Sequence, residues 1–256
     1  MISTERRHEI LQIASVDGRV NVLDLAHRFG VSEVTIRKDL ELLDRRGALQ
    51  RTRGGATASK GIFRELSLLE KIHQNADLKK KLAWKAREYI RDGDAIIIDS
   101  GSTTGEISCC LNGFNNLKVM TNSLNVAQAA CQYQGVEIMM SGGNLRKKSQ
   151  SLFGKRAEEG LMNYNFDKVF LGVDGYEFTA GVTTHFEQEA ILNRKMCEVS
   201  QYIIAVTDSS KFGRSSLHKI CNFGSIDILV TDSNISPKYA DALLKSGVEL
   251  SIVEAT

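Results

Sequence analysis

The sequence predicts a mixed α/β chain, with an N-terminal winged helix-turn-helix followed by a larger domain built on a doubly wound parallel sheet. Near the start, two short amphipathic helices flank Gly30. From Ala95 onward, short apolar runs alternate with amphipathic helices, which is typical of a parallel sheet. The chain has 256 residues, enough for one well-buried α/β domain beyond the first. We expect a first domain over residues 1–57, a linker over 58–77 and a second domain over 78–256.

The helix-turn-helix is predicted between Val22 and Leu43. Its first helix has an apolar face formed by Leu23, Leu25, Ala26 and Phe29. Gly30 can adopt the left-handed turn conformation, and Ser32 stands where a hydroxyl would cap the second helix. The residues expected to face inward from the second helix, at i, i+4 and i+7, are Ile36, Leu40 and Leu43.

The other face of the second helix is polar and basic, and its first turns are the ones that a DNA major groove can meet. We expect Thr35 and Arg37 to contact bases. We expect Lys38, Arg51 and Arg53 to contact phosphates. The alternative is a helix pair of the same shape that only binds another protein. The predicted DNA-binding residues are Arg6, Ser32, Glu33, Thr35, Arg37, Lys38, Arg51 and Arg53.

The flanks of this unit support the DNA-binding interpretation. Upstream, another helix is predicted from the apolar stripe Ile10, Leu11, Ile13 and Ala14. Arg6 and Arg7 lie at its start, where the helix dipole disfavours cations. A DNA phosphate would explain this placement, and a frayed, solvated helix terminus is the alternative. Downstream, residues 47–56, GALQRTRGGA, place glycines at the bends and arginines between them. This pattern predicts a basic β-hairpin wing.

These segments resemble the start of the DeoR family of bacterial repressors. In that family a TIRKDL-like recognition helix is followed by a G-x-L-x-R-x-x-GGA wing, and this chain has both, from Thr35 and from Gly47. The resemblance extends from Arg6 to the last predicted strand. It implies a repressor that binds double-stranded operator DNA through its winged unit.

The distribution of charge agrees with DNA binding by the first domain. Residues 1–60 hold 11 Lys and Arg against 8 Asp and Glu, whereas the remaining residues hold 22 against 23. The whole chain carries a formal net charge of +2, so a polycation that coats nucleic acid nonspecifically is not expected. A small basic patch used twice in a symmetric dimer fits better.

Composition excludes several other classes of protein. No apolar run approaches the ~20 residues of a membrane span, and the N-terminus MISTERRHEI lacks the apolar core of a signal peptide. We therefore expect a cytoplasmic protein without a membrane partner. The five cysteines form no C-x-x-C pair and have no histidine at ligand spacing, so we expect reduced thiols and no metal. No nucleotide, dinucleotide or zinc-protease motif is present, so neither a cofactor nor a catalytic residue is expected.

The segment from Thr57 to Asp77 is predicted to be a partly helical linker. Its apolar residues, Leu66, Leu68, Leu69 and Ile72, could pack on the second domain or on a second subunit. The following run Lys79-Lys80-Lys81 resembles extra DNA-binding charge. We favour a solvated helix face for it, opposite a buried stripe of Leu82, Ala86, Tyr89 and Ile90.

Seven strands are predicted in the second domain: Ala95–Ile98, Leu117–Met120, Val136–Met140, Lys168–Leu171, Tyr202–Val206, Ile226–Val230 and Val248–Val253. Ligands of such sheets bind beyond the carboxyl ends of the strands. Small polar residues follow five of the strands, and Arg146 and Lys211 add positive charge. The composition fits a small polyhydroxylated anion, of which a sugar phosphate is the natural candidate.

The predicted effector-binding residues lie in these loops. They are Asp99, Ser100, Gly101, Ser102, Thr103, Thr104, Thr121, Asn122, Ser123, Gly142, Gly143, Arg146, Asp174, Gly175, His185, Glu187 and Lys211.

Two segments of this domain resemble ribose-5-phosphate isomerase, whose fold the DeoR sensor domains share. VDGYE from Val173 and TDSSK ending at Lys211 correspond to its VDGAD and D-x-S-K segments. The isomerase acts through a carboxylate between those segments, where this chain, counted back from Lys211, has Asn193. An amide cannot act as a general base, so we expect a sensor and not an enzyme. The alternative is an isomerase-like enzyme with an appended DNA-binding module.

Further segments resemble DeoR-family members that control amino-sugar or hexitol operons: TNSLNVA from Thr121, LRKKSQSLFG from Leu145, EAILNRKMCEV from Glu189 and TDSSKFGRSSLHKI from Thr207. The resemblance implies a repressor of such a catabolic operon, released from DNA by a phosphorylated sugar. Activation is the alternative, decided by where the operator lies relative to a promoter. A homodimer or homotetramer is expected, since one winged helix covers only a short half-site.

Overall fold

The computed structural model describes residues 3–45, 49–58 and 66–255 and divides the chain into two compact units, Met1–Glu65 and Leu66–Thr256. Gly47 and Ala48 of the predicted hairpin, and residues 59–65 of the predicted linker, lie outside the described residues. No helix in the described ranges is long and apolar enough to cross a membrane.

The first unit is a winged helix-turn-helix, as the sequence predicts. Its elements are α1 (Ser3–Asp17), β1 (Arg19–Asn21), α2 (Val22–Phe29), α3 (Glu33–Arg45), β2 (Leu49–Thr52) and β3 (Gly55–Ala58). The three strands form an antiparallel sheet in the order β1-β3-β2, so the short strand β1, which the sequence did not predict, completes the wing. The apolar faces of all three helices meet in one core around Ile10, Leu25, Ile36 and Leu40.

The turn between α2 and α3 forms by the predicted means. Gly30 has a φ of 61°, in the left-handed region. The Ser32 hydroxyl accepts the backbone N–H of Thr35 at 3.3 Å and caps α3. The expectation for Leu23 was wrong, because its side chain is 61% exposed. The buried face of α2 starts one residue earlier, at Val22, from which Leu25 lies at i+3.

The second unit begins with α4 (Leu68–Ile72) and α5 (Ala76–Arg87) and then alternates strands with helices. The remaining elements are β4 (Ala95–Ile98), α6 (Ser102–Ser108), β5 (Leu117–Thr121), α7 (Leu124–Ala130), β6 (Val136–Met140), β7 (Asn144–Arg146), β8 (Ser151–Phe153), α8 (Lys155–Glu159), β9 (Phe166–Gly172), β10 (Gly175–Glu177), β11 (Gly181–Thr184), α9 (Glu187–Glu198), β12 (Ser200–Val206), β13 (His218–Cys221), β14 (Ile228–Asp232), α10 (Pro237–Lys245) and β15 (Glu249–Val253).

A seven-stranded parallel sheet in the order β15-β14-β12-β9-β4-β5-β6 forms the centre of this unit. Its strands are the seven that the sequence predicts, with ends shifted by one or two residues. One face packs against α5, α6 and α7, and the other against α8, α9 and α10. The sheet is therefore doubly wound.

Strand order reverses between β4 and β9, which are neighbours although β5 and β6 lie between them in the chain. The carboxyl ends of two such strands diverge into loops on opposite faces, which opens the crevice where doubly wound sheets bind ligands. The loops at this switch point begin at Asp99 and Val173.

Two smaller sheets were not predicted from the sequence. A hairpin pairs β7 with β8, and an antiparallel sheet in the order β10-β11-β13 is built from the chain that follows β9 and β12. Both carry predicted effector residues. The linker's Leu68 is buried in the second unit, whereas Leu69 is exposed.

Candidate DNA-binding surface and effector site

The first turns of α3 present polar and basic side chains at the surface. Thr35 and Ser32 share a hydrogen bond between their hydroxyls at 2.9 Å. Glu33 forms an ion pair with Arg37 at 2.8 Å, one helical turn away, and the Arg37 side chain is 59% exposed. Lys38 is also exposed. This surface has the chemistry that a major groove requires, with its arginine oriented by a neighbouring carboxylate.

The wing is held against α3 by its own arginine. The Arg51 guanidinium donates to the Arg37 carbonyl at 3.1 Å, and the Arg51 backbone N–H donates to Asp44 at 3.0 Å. Arg53 is exposed at the bend between β2 and β3. The two predicted wing residues therefore differ, since Arg51 fixes the hairpin and Arg53 stands at its tip.

The expectation that Arg6 reaches a DNA phosphate is corrected by the structure. Arg6 Nε donates to Asp39 Oδ2 at 2.7 Å, and both side chains are only 8% exposed. Arg7 contacts the other oxygen of Asp39 at 3.1 Å. Arg6 therefore joins α1 to α3 inside the unit. Its place at a helix start is explained by a carboxylate of the chain, without DNA.

Asp99 is the centre of a buried polar cluster at the switch point of the second unit. Its Oδ2 accepts the Gly172 backbone N–H at 3.2 Å and the Asn193 side-chain amide at 3.1 Å. Burial raises the pKa of Asp99 to about 7, and the charge of Glu189 adds to this effect. Asp99 is thus a carboxyl that changes charge near neutral pH.

The loop after β5 supports that cluster. Asn122 accepts the Ser100 backbone N–H at 2.9 Å and donates to the Ser100 hydroxyl at 3.3 Å. Thr121 donates to the Ile98 carbonyl at 2.6 Å, and Ser123 donates to Asn125. All three loop residues are fully buried. The hydroxyls of Thr121 and Ser123 are used within the fold, and Asn122 orients Ser100.

Two buried oxygens at the switch point have no hydrogen-bond partner among the described residues, Thr104 Oγ1 and Asn193 Oδ1. A Cβ atom at Gly101 would lie 2.7 Å from Thr104 Oγ1, so the glycine leaves room for that hydroxyl. Unsatisfied buried oxygens are costly and are expected to find a partner. Ser102 and Thr103, between Gly101 and Thr104, are partly exposed.

Asp174 is the centre of a second, charged cluster next to the first. The Lys71 ammonium lies 2.6 Å from Asp174 Oδ1, and the Thr184 hydroxyl donates to Oδ2 at 3.0 Å. Burial alone would raise the pKa of Asp174, but Lys71 and Lys211 hold it well below its usual range. His185 acts on the same carboxylate. Asp174 is therefore ionised and already paired.

Lys211 is the basic residue of this cluster whose ammonium is available to a ligand. It is partly exposed, and within the described residues its ammonium forms no hydrogen bond or ion pair. Burial lowers its pKa, while the charges of Asp208 and Asp174 oppose that shift. Arg214 lies close enough for its charge to act on Lys211.

Lys79 joins the same cluster, which corrects the prediction of a solvated face for the Lys79-Lys80-Lys81 run. Only 4% of Lys79 is exposed, whereas Lys80 and Lys81 are exposed as expected. Its ammonium donates to the Lys71 carbonyl. Burial lowers the pKa of Lys79 to about 8, against the opposing charge of Asp208.

A third group of predicted residues lies around the β7–β8 hairpin. Arg146 contacts Glu189 at 3.3 Å and lies 4.2 Å from the centre of the Phe186 ring. Glu189 also accepts hydroxyls from Ser149 at 2.6 Å and Ser151 at 2.8 Å. The prediction that Arg146 supplies charge to a ligand is weakened, since its guanidinium is already bound to a carboxylate.

The other predicted residues near this hairpin are exposed. Gly142 and Gly143 have positive φ angles and form the turn into the hairpin, and Glu187 lies at the exposed start of α9. Gly175, by contrast, is buried, and a Cβ there would lie 2.7 Å from the Arg214 carbonyl. The structure thus brings Asp99 and Asn122 together around Ser100, and Asp174, His185 and Lys211 together in the charged cluster.

Sequence reasoning missed Lys71, Lys79, Asp208, Arg214 and Glu189. The helical spacing of α5 could have found Lys79, because it lies at i−3, i−4 and i−7 from the buried residues Leu82, Ala83 and Ala86. No local signal points to Lys71, whose partner Asp174 is 103 residues away. In the described part of the chain, no group of three or more His, Cys, Asp or Glu residues could hold a metal ion.

A winged helix-turn-helix with an exposed basic surface, joined to a doubly wound domain with a charged site at its switch point, defines the class of ligand-responsive DNA-binding regulators. Comparison with protein families agrees. Residues 6–61 match the DeoR-like helix-turn-helix domain, and residues 74–233 match the DeoR C-terminal sensor domain. The chain belongs to the DeoR family of transcriptional regulators, and it is a regulator and not an enzyme.

Similar proteins span almost the full length of the chain. One, named as an aga operon transcriptional repressor of Escherichia coli O157:H7, is 45% identical over 98% of this chain and 94% of that protein. The HTH-type transcriptional repressor GlcR of Bacillus subtilis is 32% identical over 99% and 98%. The glycerol-3-phosphate regulon repressor of Escherichia coli K12 is 28% identical over 98% and 100%.

Two solved structures align with part of the chain. Ribose 5-phosphate isomerase A from Neisseria gonorrhoeae aligns with a TM-score of 0.42 and 16% identity over 57% of each chain. The δ subunit of eIF2B from Chaetomium thermophilum aligns with a TM-score of 0.43 and 14% identity, over 62% of this chain and 56% of that one. At this level of similarity the likeness carries no information about chemistry.

Proposed function

We propose that this protein is a cytoplasmic repressor of a sugar catabolic operon, one for an amino sugar or a hexitol, and that a phosphorylated sugar releases it from its operator. The observation that carries this proposal is the excess of positive charge at the switch point of the second unit. Four basic residues, Lys71, Lys79, Lys211 and Arg214, lie in one electrostatic neighbourhood with three carboxylates, Asp174, Asp208 and Glu106.

This excess fits a phosphate monoester. A phosphate group carries roughly −1.5 to −2 charge at neutral pH and offers three strong acceptor oxygens. The net positive charge of this half-buried site therefore suits one such group. Lys211 is the principal candidate, because its ammonium forms no ion pair in the described chain.

The sugar part is proposed to occupy the neighbouring neutral cluster. Thr104 Oγ1 and Asn193 Oδ1 are buried acceptors without partners in the described residues, which suits the hydroxyl donors of a sugar. Ser100 is oriented by Asn122, and the loop from Asp99 to Thr104 lines the same edge of the sheet. We retain Arg146, Gly142, Gly143 and Glu187 as lesser candidates on the hairpin side.

The names of similar proteins support the sugar assignment. They are named for the aga operon and for a glycerol-3-phosphate regulon, both repressors. The higher identity to the aga operon repressor favours an operon of that kind here. A thermal-shift screen of phosphorylated sugars identifies the particular effector.

On the DNA side, we propose that Thr35 and Arg37 contact bases while Lys38, Arg51 and Arg53 contact phosphates. Each is partly or fully exposed on α3 or the wing. One winged helix reads a short half-site, so two copies in a homodimer, or four in a homotetramer, would bind a repeated or palindromic operator. Sedimentation of the free protein at micromolar concentration tests the assembly, and a monomer bound to a single unrepeated site would contradict it.

Release requires that the effector bind unequally to the operator-competent and released states, because equal affinity shifts nothing. The proposal is tested by a thermal-shift screen of the full-length protein against galactosamine 6-phosphate, glucosamine 6-phosphate, sorbitol 6-phosphate, their unphosphorylated forms and inorganic phosphate. A ligand of the folded state raises the melting temperature according to its affinity.

Operator DNA for the second half of the test is obtained by selecting bound fragments from random duplexes. A phosphorylated sugar that raises the melting temperature should also weaken binding to the selected DNA, and its unphosphorylated form should do neither. If unphosphorylated sugars act as well as their phosphates, the assignment of the charged cluster is wrong.

A further inference from the structure

The short helix α4 belongs to the predicted linker and contacts the effector site. It is the first element of the second unit, because the winged unit ends at Glu65. Its residue Lys71 forms the 2.6 Å ion pair with Asp174, and the two side chains are 21% and 18% exposed. A residue of the predicted linker is thus bonded directly to a carboxylate at the carboxyl end of β9.

Two further contacts hold α4 in place. The buried Lys79 ammonium donates to the Lys71 carbonyl. At the other end, the Leu68 backbone N–H donates to the Lys148 carbonyl at 2.9 Å, beside the buried Leu68 side chain. Ser67 and Glu70 cap the helix reciprocally. The helix is therefore a small rigid element whose position depends on the groups around Asp174.

The Lys71 ammonium is paired with Asp174 and lies close enough to the other cations for its charge to act on them. Lys71 and Lys211 both act on Asp174, and Lys71 and Lys211 both act on Lys79. An anion drawn in by Lys211 and Lys79 would lie within the same electrostatic neighbourhood. It would compete with Asp174 for the Lys71 ammonium, since charge-assisted bonds to phosphate and to carboxylate are similar in strength.

We propose that Lys71 is an effector-binding residue, and that its exchange from Asp174 to the phosphate of the effector is what moves α4 and so transmits effector binding to the linker. This inference rests on the proposed function, because it assigns a regulatory step to the same site. Lys211 and Lys79 hold the anion. Lys71 also binds it, and the resulting movement of α4 reaches the segment that leads to the DNA-binding unit.

Effector binding and the change in operator affinity that follows it can be measured separately. Coupling between two sites is the ratio of the operator affinities measured without and with saturating effector. Without an ammonium at position 71, an anion still meets Lys211 and Lys79 but has no contact with α4. The effector should therefore bind more weakly and, once bound, should leave operator affinity unchanged.

The test uses the full-length Lys71→Met protein. The probe is galactosamine 6-phosphate, or whichever other phosphorylated sugar of the panel gives a larger thermal shift with the wild type. Thermal shift gives the affinity for the probe, which should fall by about 10-fold or more. Fluorescence anisotropy with selected operator DNA, at probe concentrations raised to saturate each variant, gives the coupling ratio. That ratio should fall to near one.

Two matched variants control the test. Lys80→Met removes an exposed lysine of α5 whose ammonium lies 3.5 Å from Asp77, and it should keep the wild-type ratio. Lys71→Arg keeps a cation on α4 and should retain most of the coupling. A Lys71→Met protein that binds the probe and keeps the wild-type ratio overturns the inference while leaving the proposed function intact.

If Lys71→Met does not fold, amide hydrogen exchange of the wild-type protein decides the matter. Exchange in the Leu68–Ile72 helix should change when the probe is added, whereas exchange in α10 should not. An unchanged α4 overturns the inference. If no phosphorylated probe raises the melting temperature of the wild type, the proposed function fails and this inference fails with it.

Discussion

In the winged unit, the charges that are expected to meet DNA stand on the surface, whereas in the second unit the charges of the proposed effector site are half-buried or buried against one another. Arg37 keeps its ion pair with Glu33 at the surface, where the two side chains are 59% and 43% exposed. Lys79, by contrast, is shielded from solvent and bonded to a carbonyl. The first arrangement suits a large polyanion that approaches from outside, and the second suits a small anion that must enter.

The difference determines how each unit responds to its ligand. Surface ion pairs contribute little and are screened by salt, so Arg37 can leave Glu33 for DNA at small cost. Half-buried pairs are screened less, and an anion that enters must replace a partner of comparable strength. DNA binding is therefore expected to follow ionic strength, and effector binding to follow the exchange of partners around Asp174.

The largest expected effect comes from a place where the winged unit breaks this rule, the buried pair of Arg6 and Asp39. Asp39→Ala would leave Arg6 buried without its carboxylate and should destabilise the winged unit by ~3–5 kcal/mol. Thermal or urea unfolding, followed by a probe in that unit, measures this. Asp17→Ala, at the exposed end of α1, is the control and should change stability by less than about 0.5 kcal/mol. Equal stability of the two variants would contradict a structural role for the pair.

Lys211→Ala should give the next largest effect, on the second unit alone. Loss of a charge-assisted contact should weaken binding of the sugar phosphate by roughly 10–100-fold, with unchanged operator affinity in its absence. The variant would be a super-repressor that stays on DNA when the effector is added. Lys155→Ala removes an exposed lysine of the same unit as control. A well-folded Lys211→Ala protein that leaves the operator at wild-type effector concentrations would remove Lys211 from the site.

Within the winged unit, Arg37 and Arg53 should be distinguishable. Arg37→Ala should cost ~1–3 kcal/mol at the operator and relax base preference, because arginine on a recognition helix reads base edges. Arg53→Ala, at the wing tip, should weaken all DNA about equally and flatten the salt dependence. Competition binding with selected and scrambled duplexes at several salt concentrations separates them. Intact preference in Arg37→Ala would show that its base contact is misassigned.

The smallest expected effect is a pH dependence confined to the second unit. Lys79 has a folded pKa of about 8, below its ordinary value of 10.5, because burial disfavours its ammonium. The unfolded chain therefore binds more protons between these values, so the stability penalty of burying Lys79 is relieved as pH rises across that window. Over the same rise Lys79, facing Lys71, Lys211, Asp208 and Glu106, loses the charge that attracts phosphate.

Affinity for inorganic phosphate should accordingly weaken a few-fold between about pH 8 and about pH 9.5, where most of the phosphate is already the dianion. Thermal shift at matched ionic strength measures this. In Lys79→Met the decline should be smaller, with the remainder coming from Lys211, whose pKa burial also lowers. Identical pH profiles for the two proteins would rule out Lys79 as a contributor.

Periodicity in the sequence was sufficient to predict the seven strands and the interior face of α3, because burial of β-branched runs and of residues at i, i+4 and i+7 is a local property. It could not predict pairings that depend on distant residues. Arg6 finds Asp39 33 residues away, and Lys71 finds Asp174 103 residues away. Lys79 was misjudged for a different reason, since its run was interpreted as one unit although only its first lysine shares the face of Leu82.

The order of the strands in the parallel sheet has a consequence for protein synthesis. The effector site needs β4, β9 and the turn that carries Lys211, so it cannot exist until the ribosome has passed Lys211. The winged unit is made first, and domains generally fold as units from the N-terminus, at ~5–20 residues per second. For on the order of 10 s, a nascent chain would carry a DNA-reading surface with no means of sensing sugar. Prematurely terminated chains would keep that surface permanently and could occupy operators that no inducer can clear.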